Sequence, residues 1–594
     1  MNISSHLMVK KTQPVALYRS KDLYSMEQAW FSEGHDSFGL MKQAAWQMVH
    51  YIVALYEQKM LNTHLSIQSR DDYVSTEPRQ VNIWVGKGNN GGDGWLIAYY
   101  LQQMGWHVQV TAVGFDSHDF ERAETTQPSN EKNCLSDAKK ALQIALAANC
   151  CYTRFEDNTY DEDYDHKKRI DKPSQADVYV DALFGIGLDR APQGVYKKAI
   201  CALNTAAEYK GLVVAVDIPS GLVASTGQVF EQIAVRADAT LCLIARKLGL
   251  HTKDGLDYSG DIIDIPLIPY QIGRQGFIPA ATLMTTAHRL NPRRQNSYKG
   301  SYGHVLVIGG NRIDGSQGMG GAAILSASSA MATGSGKITV ACHEAFHGAL
   351  LTSIPDAMTL NLHDTDGVKR LIKEASVIAI GMGLGRDEKA KALLIEYIRT
   401  AIVESKPIVI DADGLYHLAS LQTEGHKLIA QLRAHSREYP VCLTPHSGEA
   451  ARLLNQEVSE VEADRLGAIK QCTEQYGGDW VLKGAGSLVL EQQATKQQIY
   501  VCGVGNAGMA TAGMGDVLSG VIAGLLAQQD LPKESRSLHQ AVLIHGLAGD
   551  CSIKEPKQPS NLSHNSPILL IGQRGLQAQD MPAFIRHIMQ LITV

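Results

Sequence analysis

The stretch from Gly505 to Gly520, GNAGMATAGMGDVLSG, sets one carboxylate, Asp516, at the end of a glycine-rich loop, and an apolar helical pattern, VLSGVIAGLLAQQ, follows at once. Backbone N–H groups with no Cβ in the way close readily around an anion, and a helix N-terminus behind them adds its partial positive charge. An aspartate fixed beside that anion is placed to take the proton of a hydroxyl about to meet a phosphoryl group. The competing reading is a turn with Asp516 as helix cap; the glycine density of the stretch favours the anion site. A second cradle, Gly86 to Gly94 (GKGNNGGDG), carries Asn89, Asn90 and Asp93 among its glycines. Amide side chains beside open backbone N–H groups suit a phosphate or polar ligand at the C-terminal edge of a parallel sheet. The spacing is not GxGxxG, which argues against an ordinary dinucleotide fingerprint. Downstream, Asp181 ends the β-rich run in ADVYVDALFGIG, and Asp217 ends that in GLVVAVDIPSGL. Strand-end aspartates before glycine turns lie where open α/β sheets bind ligands, with capping or turn chemistry as the alternative.

Two motifs are decoys. HEAFH, His343 to His347, spells the zinc-protease pattern HExxH, but it starts just after a strand pattern and Gly348 follows it. That motif needs the middle of a helix, so that both histidines share a face, and a third ligand elsewhere. GSGKIT, 334–339, resembles the tail of a P-loop, yet Met331 stands where the first glycine is required, and the segment precedes a strand.

The elements around these residues alternate. Residues about 20–60 carry apolar residues at helical spacing, and 65–80 read as loop. VNIWVG is a strand, Gly94 to Met104 a helix and HVQVTAV a strand; ATLCLIARK and GDIIDIPLIP add two more. Residues 115–178, with the mixed run FEDNTYDEDYDHKKRIDKPSQ, read as a solvated insertion. No sheet period is clear in 272–294, and the domain boundary is placed there. Beyond it HVLVIGG, KITVAC, SVIAIGMGLG, KPIVIDADGL, VCLTPHSGEAARLL and DWVLKGAGSLVL are apolar runs ending in polar or glycine turns, and Gly320 to Ala332 is a helix of small residues. That alternation indicates two α/β domains with parallel sheets.

A chain of 594 residues is too long for one core. A net charge of −6 leaves no basic footprint for nucleic acid. No apolar run reaches the roughly 18 to 20 residues that span a bilayer, and the N-terminus shows no signal-peptide core. The ten cysteines are scattered without CxxC, which suits a reducing cytoplasmic setting.

The N-terminal GKGNNGGDG, DALFGIG and DIPSGL resemble the YjeF N-terminal domain, an NAD(P)H-hydrate epimerase. The C-terminal YKGSYGHVLVIGG, GMGLG, DADGL, TPHSGE, LKGAGS and GNAGMATAGMGDVLSG resemble the ADP/ATP-dependent NAD(P)H-hydrate dehydratases, which have a ribokinase-like fold. Order and spacing are similar to those of the fused bacterial repair enzymes, over nearly the whole chain outside 115–178 and the two ends. The resemblance implies a Rossmann-like epimerase domain over 1–275 and a ribokinase-like dehydratase domain over 285–594. It implies that the first interconverts R and S NAD(P)HX, and that the second restores NAD(P)H from the S form with ADP, giving AMP and phosphate. By motif match, the epimerase would hold the hydrate against Asn89, Asn90, Gly91, Gly92 and Asp93, against Gly185, Ile186, Gly187, Leu188, Asp189, Arg190 and Ala191, and against Asp217, its proton-transfer residue. Potassium would sit among Asn90, Asp181 and Ser220. The dehydratase would hold the hydrate with Ala322, Gly383, His446 and Asp516, the last as base, and the nucleotide with Lys483, Gly484, Ala485, Gly486, Ser487 and Gly515. Magnesium would arrive with ADP. Partners are then NAD(P)HX and ADP, with neither nucleic acid nor membrane, in a cytoplasmic homo-oligomer. Where the family usually has GNPGMATGGTGD and TPHPGE, this chain has Ala507, Ala512, Met514 and Ser447. Two other hypotheses compete: a sugar or vitamin kinase with an attached binding module, which would release a stable phosphorylated product, and a zinc peptidase at HEAFH.

Overall fold

The computed structural model describes residues 14–66, 79–125, 135–155, 176–208, 211–269, 277–312, 318–493, 496–553 and 571–593. The chain divides into two units between Ala281 and Thr282.

The first unit is built on a seven-stranded parallel sheet. Its spatial order is Cys151–Phe155, His107–Val113, Gln80–Val85, Val178–Ala182, Leu212–Val216, Ala239–Leu243 and Asp261–Ile265. Val178–Ala182 and Leu212–Val216 are buried along their whole length, which is why they read as continuous apolar runs and not as alternation. The order reverses beside Gln80–Val85: the next two strands of the chain run to one side of it, and Val178–Ala182 then returns to its other side; this is the switch point where open α/β sheets bind ligands. The expected helix over 20–60 is two helices, Ser20–Ser32 and Ser37–Ser66, broken near Gly34, where φ is +92°. The loop expected over 65–80 falls mostly outside the described residues.

Two expectations need correction here. The region 115–178 is more than a solvated insertion. It contributes the helices Ser117–Thr125 and Asp137–Ala147 and the edge strand Cys151–Phe155; the acidic run 156–175 lies outside the described residues. The segment 272–294, without visible period, contains the strand Ala281–Met284, paired parallel with Lys496–Cys502.

The second unit's sheet runs in the order Met358–Asn361, Lys337–Cys342, His304–Ile308, Val377–Ile380, Ile408–Ile410, Val441–Leu443, Asp479–Leu482, Leu488–Gln493, Lys496–Cys502 and Ala281–Met284. It is parallel as far as Asp479–Leu482, whose pairing with Leu488–Gln493 is antiparallel, as is that of Leu488–Gln493 with Lys496–Cys502. On one face the helices Gly320–Ala332 and Met514–Ala527 pack against each other and the sheet. Their small residues are explained by distance: a Cβ on Gly520 would come within 2.1 Å of the Ser326 carbonyl oxygen. Val305, Val307 and Val340 beneath them are fully buried, each contributing about 1.5–3 kcal/mol by leaving water.

Candidate active sites

In the first unit the cradle is a helix start and not a free loop. The helix Asn89–Gln103 begins directly after Gly88, so Asn89, Asn90 and Asp93 sit on its first turns. Close packing overrides the poor helix propensity of glycine here: a Cβ on Gly91 would meet the Gly86 carbonyl at 1.8 Å, and one on Gly92 would meet Ala138 and Met41. Those two glycines therefore face the scaffold. Asn89, Asn90, Asp93, the whole Gly185–Ala191 turn and Asp217 line one cavity of about 660 Å3, a volume typical of small-ligand sites. Beneath it Asp181 is fully buried; its Oδ1 accepts from the Ser220 hydroxyl at 2.6 Å and from the Leu183 N–H at 3.2 Å, and its Oδ2 from the Ser220 N–H at 2.7 Å. Burial pushes the Asp181 carboxyl up to about 6 against those hydrogen bonds. The Asn90 amide donates to the Phe184 carbonyl at 2.8 Å, and the Phe184 N–H donates to Ser220 Oγ at 2.8 Å.

Asp217 follows the strand Leu212–Val216 with φ +68°, a conformation aspartate tolerates better than most residues. Its Oδ1 accepts from the Leu243 N–H at 3.0 Å and from the Lys247 ammonium. Both contacts fall on Oδ1, so Oδ2 is the oxygen available to a ligand. Lys247 is 1% exposed, and it also donates to the Leu243 carbonyl at 2.7 Å. Burial opposes its charge, but Asp217 outweighs burial and holds the ammonium above its usual range. Glu27, from the helix Ser20–Ser32, reaches the same cavity; burial first, then Asp217, push it up to about 6. Neither Glu27 nor Lys247 was visible as a site residue in the sequence.

In the second unit Asp516, expected at the end of the loop, lies in the first turn of the helix Met514–Ala527, which starts earlier than its apolar run. Gly513, with φ +89°, makes the turn into that helix, and no side chain caps it. Burial first, then the Asp411 carboxylate, push Asp516 up to about 7, while Lys483 pulls the other way. Lys483 donates to Asp411 Oδ1 at 3.0 Å and lies 3.7 Å from Glu449 Oε2. Ser519 donates to Asp411 Oδ2 at 2.7 Å. Burial disfavours charge on Asp411, yet Lys483 and Ser519 outweigh it and hold the carboxyl below its usual range. A Cβ on Gly515 would lie 3.1 Å from Lys483 Nζ and 3.5 Å from Asp411 Oδ2, so this glycine keeps the approach to both groups open.

Of the other expected residues, His446 is tied to this pair through Glu449: the His446 N–H donates to Glu449 Oε2 at 2.9 Å. The His446 ring caps the helix Ser447–Leu454, accepting from the Gly448 N–H at 3.0 Å. Ser487 closes the Lys483–Ser487 turn on Gly484, by hydrogen bonds of 3.0 and 3.2 Å. Arg465, 7% exposed, donates to the carbonyls of Leu482, Lys483 and Ala485 at 3.0, 3.2 and 3.0 Å, turning the loop's acceptors inward. Gly383 and Ala322 are mutual neighbours, a Cβ on the former lying 3.4 Å from the latter's. Sequence reading assigned no role to Asp411, Glu449 or Arg465, although Asp411 ends the apolar run PIVID. Of the departures, Ala512 takes no positive φ and so needs no glycine, and Met514 is buried in the core.

HEAFH does not form a histidine pair on one helix. His343 caps a 3-10 turn, Glu344–Phe346, its Nδ1 accepting from the Ala345 N–H at 3.1 Å, and His347 opens a separate helix, His347–Ser353. Lys337, the supposed P-loop lysine, begins the strand Lys337–Cys342. The described cysteines are all free. Among the described residues no helix is long and apolar enough to cross a membrane.

Both units thus place charged groups at the carboxyl ends of parallel strands beside a helix N-terminus, which defines a two-unit α/β protein with a candidate ligand site in each half. Residues 37–249 match the family model described as YjeF-related protein N-terminus, and residues 305–567 match that described as NAD(P)H-hydrate dehydratase. The chain is 34% identical to the bifunctional NAD(P)H-hydrate repair enzyme Nnr of Coxiella burnetii, over 86% of this chain and 90% of that protein. It is also 34% identical to the Escherichia coli enzyme of the same name, over 79% of this chain and 80% of that one. A solved structure of an ADP/ATP-dependent NAD(P)H-hydrate dehydratase from Bacillus subtilis aligns with 25% identity and a TM-score of 0.38, covering 51% of this chain and 95% of that one. The chain belongs to the family of bifunctional NAD(P)H-hydrate repair enzymes.

Proposed function

We propose that the chain returns hydrated NADH and NADPH to their working forms: the first unit epimerises NAD(P)HX at C6, and the second dehydrates the S epimer with ADP, releasing AMP and phosphate. The observation that carries the second step is Asp516, raised to about 7 by burial and by Asp411, at the N-terminal turn of a helix. A carboxylate tuned to neutral pH serves as a base for a hydroxyl. Asp516 takes the proton from the C6 hydroxyl as its oxygen bonds to the terminal phosphorus of ADP and the bond to the leaving AMP oxygen breaks. Phosphate is a far better leaving group than hydroxide, so its departure with a ring proton restores the double bond. The Lys483 ammonium, beside Gly515, supplies positive charge for the phosphoryl oxygens, and the Lys483–Ser487 turn offers backbone N–H groups to the nucleotide. Magnesium enters bound to ADP, as part of the substrate. Ala322, Gly383 and His446 hold the hydrate.

In the first unit Asp217 moves the proton, and Asn89, Asn90, Asp93 and the Gly185–Ala191 turn hold the hydrate. The donor set around Phe184 fits potassium: Asn90, Asp181 and Ser220 offer only oxygen donors with a single formal charge, which suits a large monovalent cation. Bound there, potassium would supply a fixed positive charge under the cavity floor. A cytoplasmic homo-oligomer is the expected assembly, which light scattering of the purified chain tests. The activity test is direct. Purified protein with S-NADHX and ADP is expected to regenerate NADH absorbance; accumulation of a stable phosphorylated hydrate in its place would mark a plain kinase and sink the dehydratase reading.

A further inference from the structure

Three carboxyl groups that are buried or half-buried, Asp217, Glu27 and Asp93, and one buried ammonium, Lys247, line the first unit's cavity, together with the exposed Lys87, Asp189 and Arg190. Asp217 holds Lys247; Glu27 and Asp93 also line the wall, from the helices Ser20–Ser32 and Asn89–Gln103. Asp93 is 7% exposed, and its Oδ1 has no hydrogen-bond partner. More than about 90% of buried polar groups are paired, and a buried carboxyl oxygen without a partner is far less costly to hold neutral than charged, which suits a group that carries a proton.

We propose that Asp93 is the second catalytic residue of the epimerase site, the acid that works opposite Asp217, with Lys247 as the positioning residue that holds Asp217 by Oδ1 and leaves Oδ2 to the substrate. This rests on the epimerase reading above and assigns the proton path within it. C6 of the hydrate bears both a hydroxyl and the ring nitrogen N1. Asp217 takes the hydroxyl proton; the C6–N1 bond breaks, its electron pair goes to N1, and Asp93 gives N1 a proton. The product is a ring-opened aldehyde. Rotation about the C5–C6 bond turns the other carbonyl face to N1. Closure reverses the transfers: N1 attacks C6 and returns its proton to Asp93, and the C6 oxygen recovers a proton from Asp217. Nothing is oxidised or reduced.

The charges divide as the step requires. Asp217 faces Asp93 from the end of its strand, Glu27 from the first helix with Tyr24 beside it, and Lys247 from beyond the strand Ala239–Leu243. Like charges crowd this site, and Asp93, which has no ammonium partner, is the carboxyl placed to keep a proton. Burial, then Asp217 and Glu27, push the Asp93 carboxyl well above its usual range.

The test uses full-length wild type and Asp93→Asn, each given R-NADHX with ADP, and S-NADHX with ADP as an internal control. Wild type is expected to regenerate NADH from the R form faster than buffer alone. Asp93→Asn is expected to lose about 100-fold or more in epimerase kcat with little change in KM, and to regenerate NADH from the S form at the wild-type rate. The infrared absorption of protonated carboxyl groups at neutral pH is expected to lose one component in Asp93→Asn relative to wild type, the contribution of Asp516 remaining in both. Epimerisation of the R form by Asp93→Asn within about twofold of wild type, a loss confined to KM, or an infrared absorption that loses no component on substitution overturns the assignment. Failure of wild type itself on the R form, with the S form still repaired, sinks the epimerase reading and this proposal with it.

Discussion

Each half of the molecule buries one lysine against one aspartate, Lys247 with Asp217 and Lys483 with Asp411, and the two pairs do opposite things with their lysine. In the first unit the ammonium is the buried member: Lys247 is 1% exposed and Asp217 12%, so the carboxylate faces the cavity and the lysine serves it from behind. In the second unit Asp411 is 2% exposed and Lys483 21%, so the ammonium faces the ligand and the carboxylate anchors it. A site that only moves protons shows its carboxylate. A site that must meet phosphoryl oxygens shows its cation. In both, another carboxyl close by, Asp93 or Asp516, is left without an ammonium of its own and is pushed upward in pKa. An ammonium bonded to one of several crowded carboxyl groups is enough to distinguish that member from a proton carrier.

The largest expected effect comes from removing the proton carrier of the second unit. Asp516→Asn keeps the shape and loses the base; NADH recovery from S-NADHX with ADP is expected to fall about 1000-fold, with epimerisation of the R form untouched. Recovery at wild-type speed would break the parallel between the two units. The pH profile sharpens it. Wild-type dehydratase kcat/KM is expected to rise as pH climbs through about 7, because Asp516 must lose its proton. The linked stability runs the other way. Asp516 has a folded-state pKa above its unfolded value of 3.8, so its contribution is present at low pH and lost as pH rises through about 7.

Asp411→Ala strikes the anchoring pair. It takes the Asp411 carboxylate from the Lys483 ammonium, which keeps Glu449 at 3.7 Å, and from the Ser519 hydroxyl, which keeps the Gly515 carbonyl at 3.1 Å, so the cost, to be read in denaturant unfolding, is expected below the about 3–5 kcal/mol of a buried pair broken outright. It also removes the like charge nearest Asp516, and Lys483 becomes free to approach that carboxylate. The acid limb of any residual activity is then expected to move to lower pH; a shift to higher pH would show that Asp411 does not set the base. Arg465→Lys is milder. A lysine cannot reach three carbonyls at once, so the Lys483–Ser487 turn loosens, and KM for ADP is expected to rise about 10-fold with KM for the hydrate little changed.

What the sequence reveals of these sites follows from how local the signal is. The cradles are legible because glycine, asparagine and aspartate are concentrated within a few residues. Their helices start earlier than expected because the reason lies elsewhere: Gly91 is helical since Gly86 packs onto it, which propensity alone opposes. The lysine–aspartate pairs are illegible, since Lys247 is 30 residues from Asp217 and Lys483 is 72 from Asp411. Only the parallel sheet brings their strand ends together. The strand Cys151–Phe155 is missed for a third reason: it is an edge strand, exposed at four of its five positions, with no alternation to betray it, next to an acidic run.

The smallest expected effect concerns the loop departures, and it bears on how tightly the phosphoryl cradle is built. Ala512 stands one residue before Gly513, whose φ of +89° makes the turn into the catalytic helix. A side chain is costly only where φ is positive or space is lacking; Ala512 takes no positive φ and is exposed to solvent. Ala512→Gly is therefore expected to change dehydratase kcat/KM by less than about twofold and to destabilise the second unit by about 0.4–1 kcal/mol, through the larger conformational freedom of glycine in the unfolded chain. Gly513→Ala is the matched control. It forces a Cβ onto a positive φ and within 2.6 Å of the Leu325 side chain, so it is expected to lose both stability and activity. Thermal unfolding and NADH recovery on the two variants separate the cases: equal damage from both would mean that the cradle depends on glycine at 512 as well, and that this chain's loop is a weakened one.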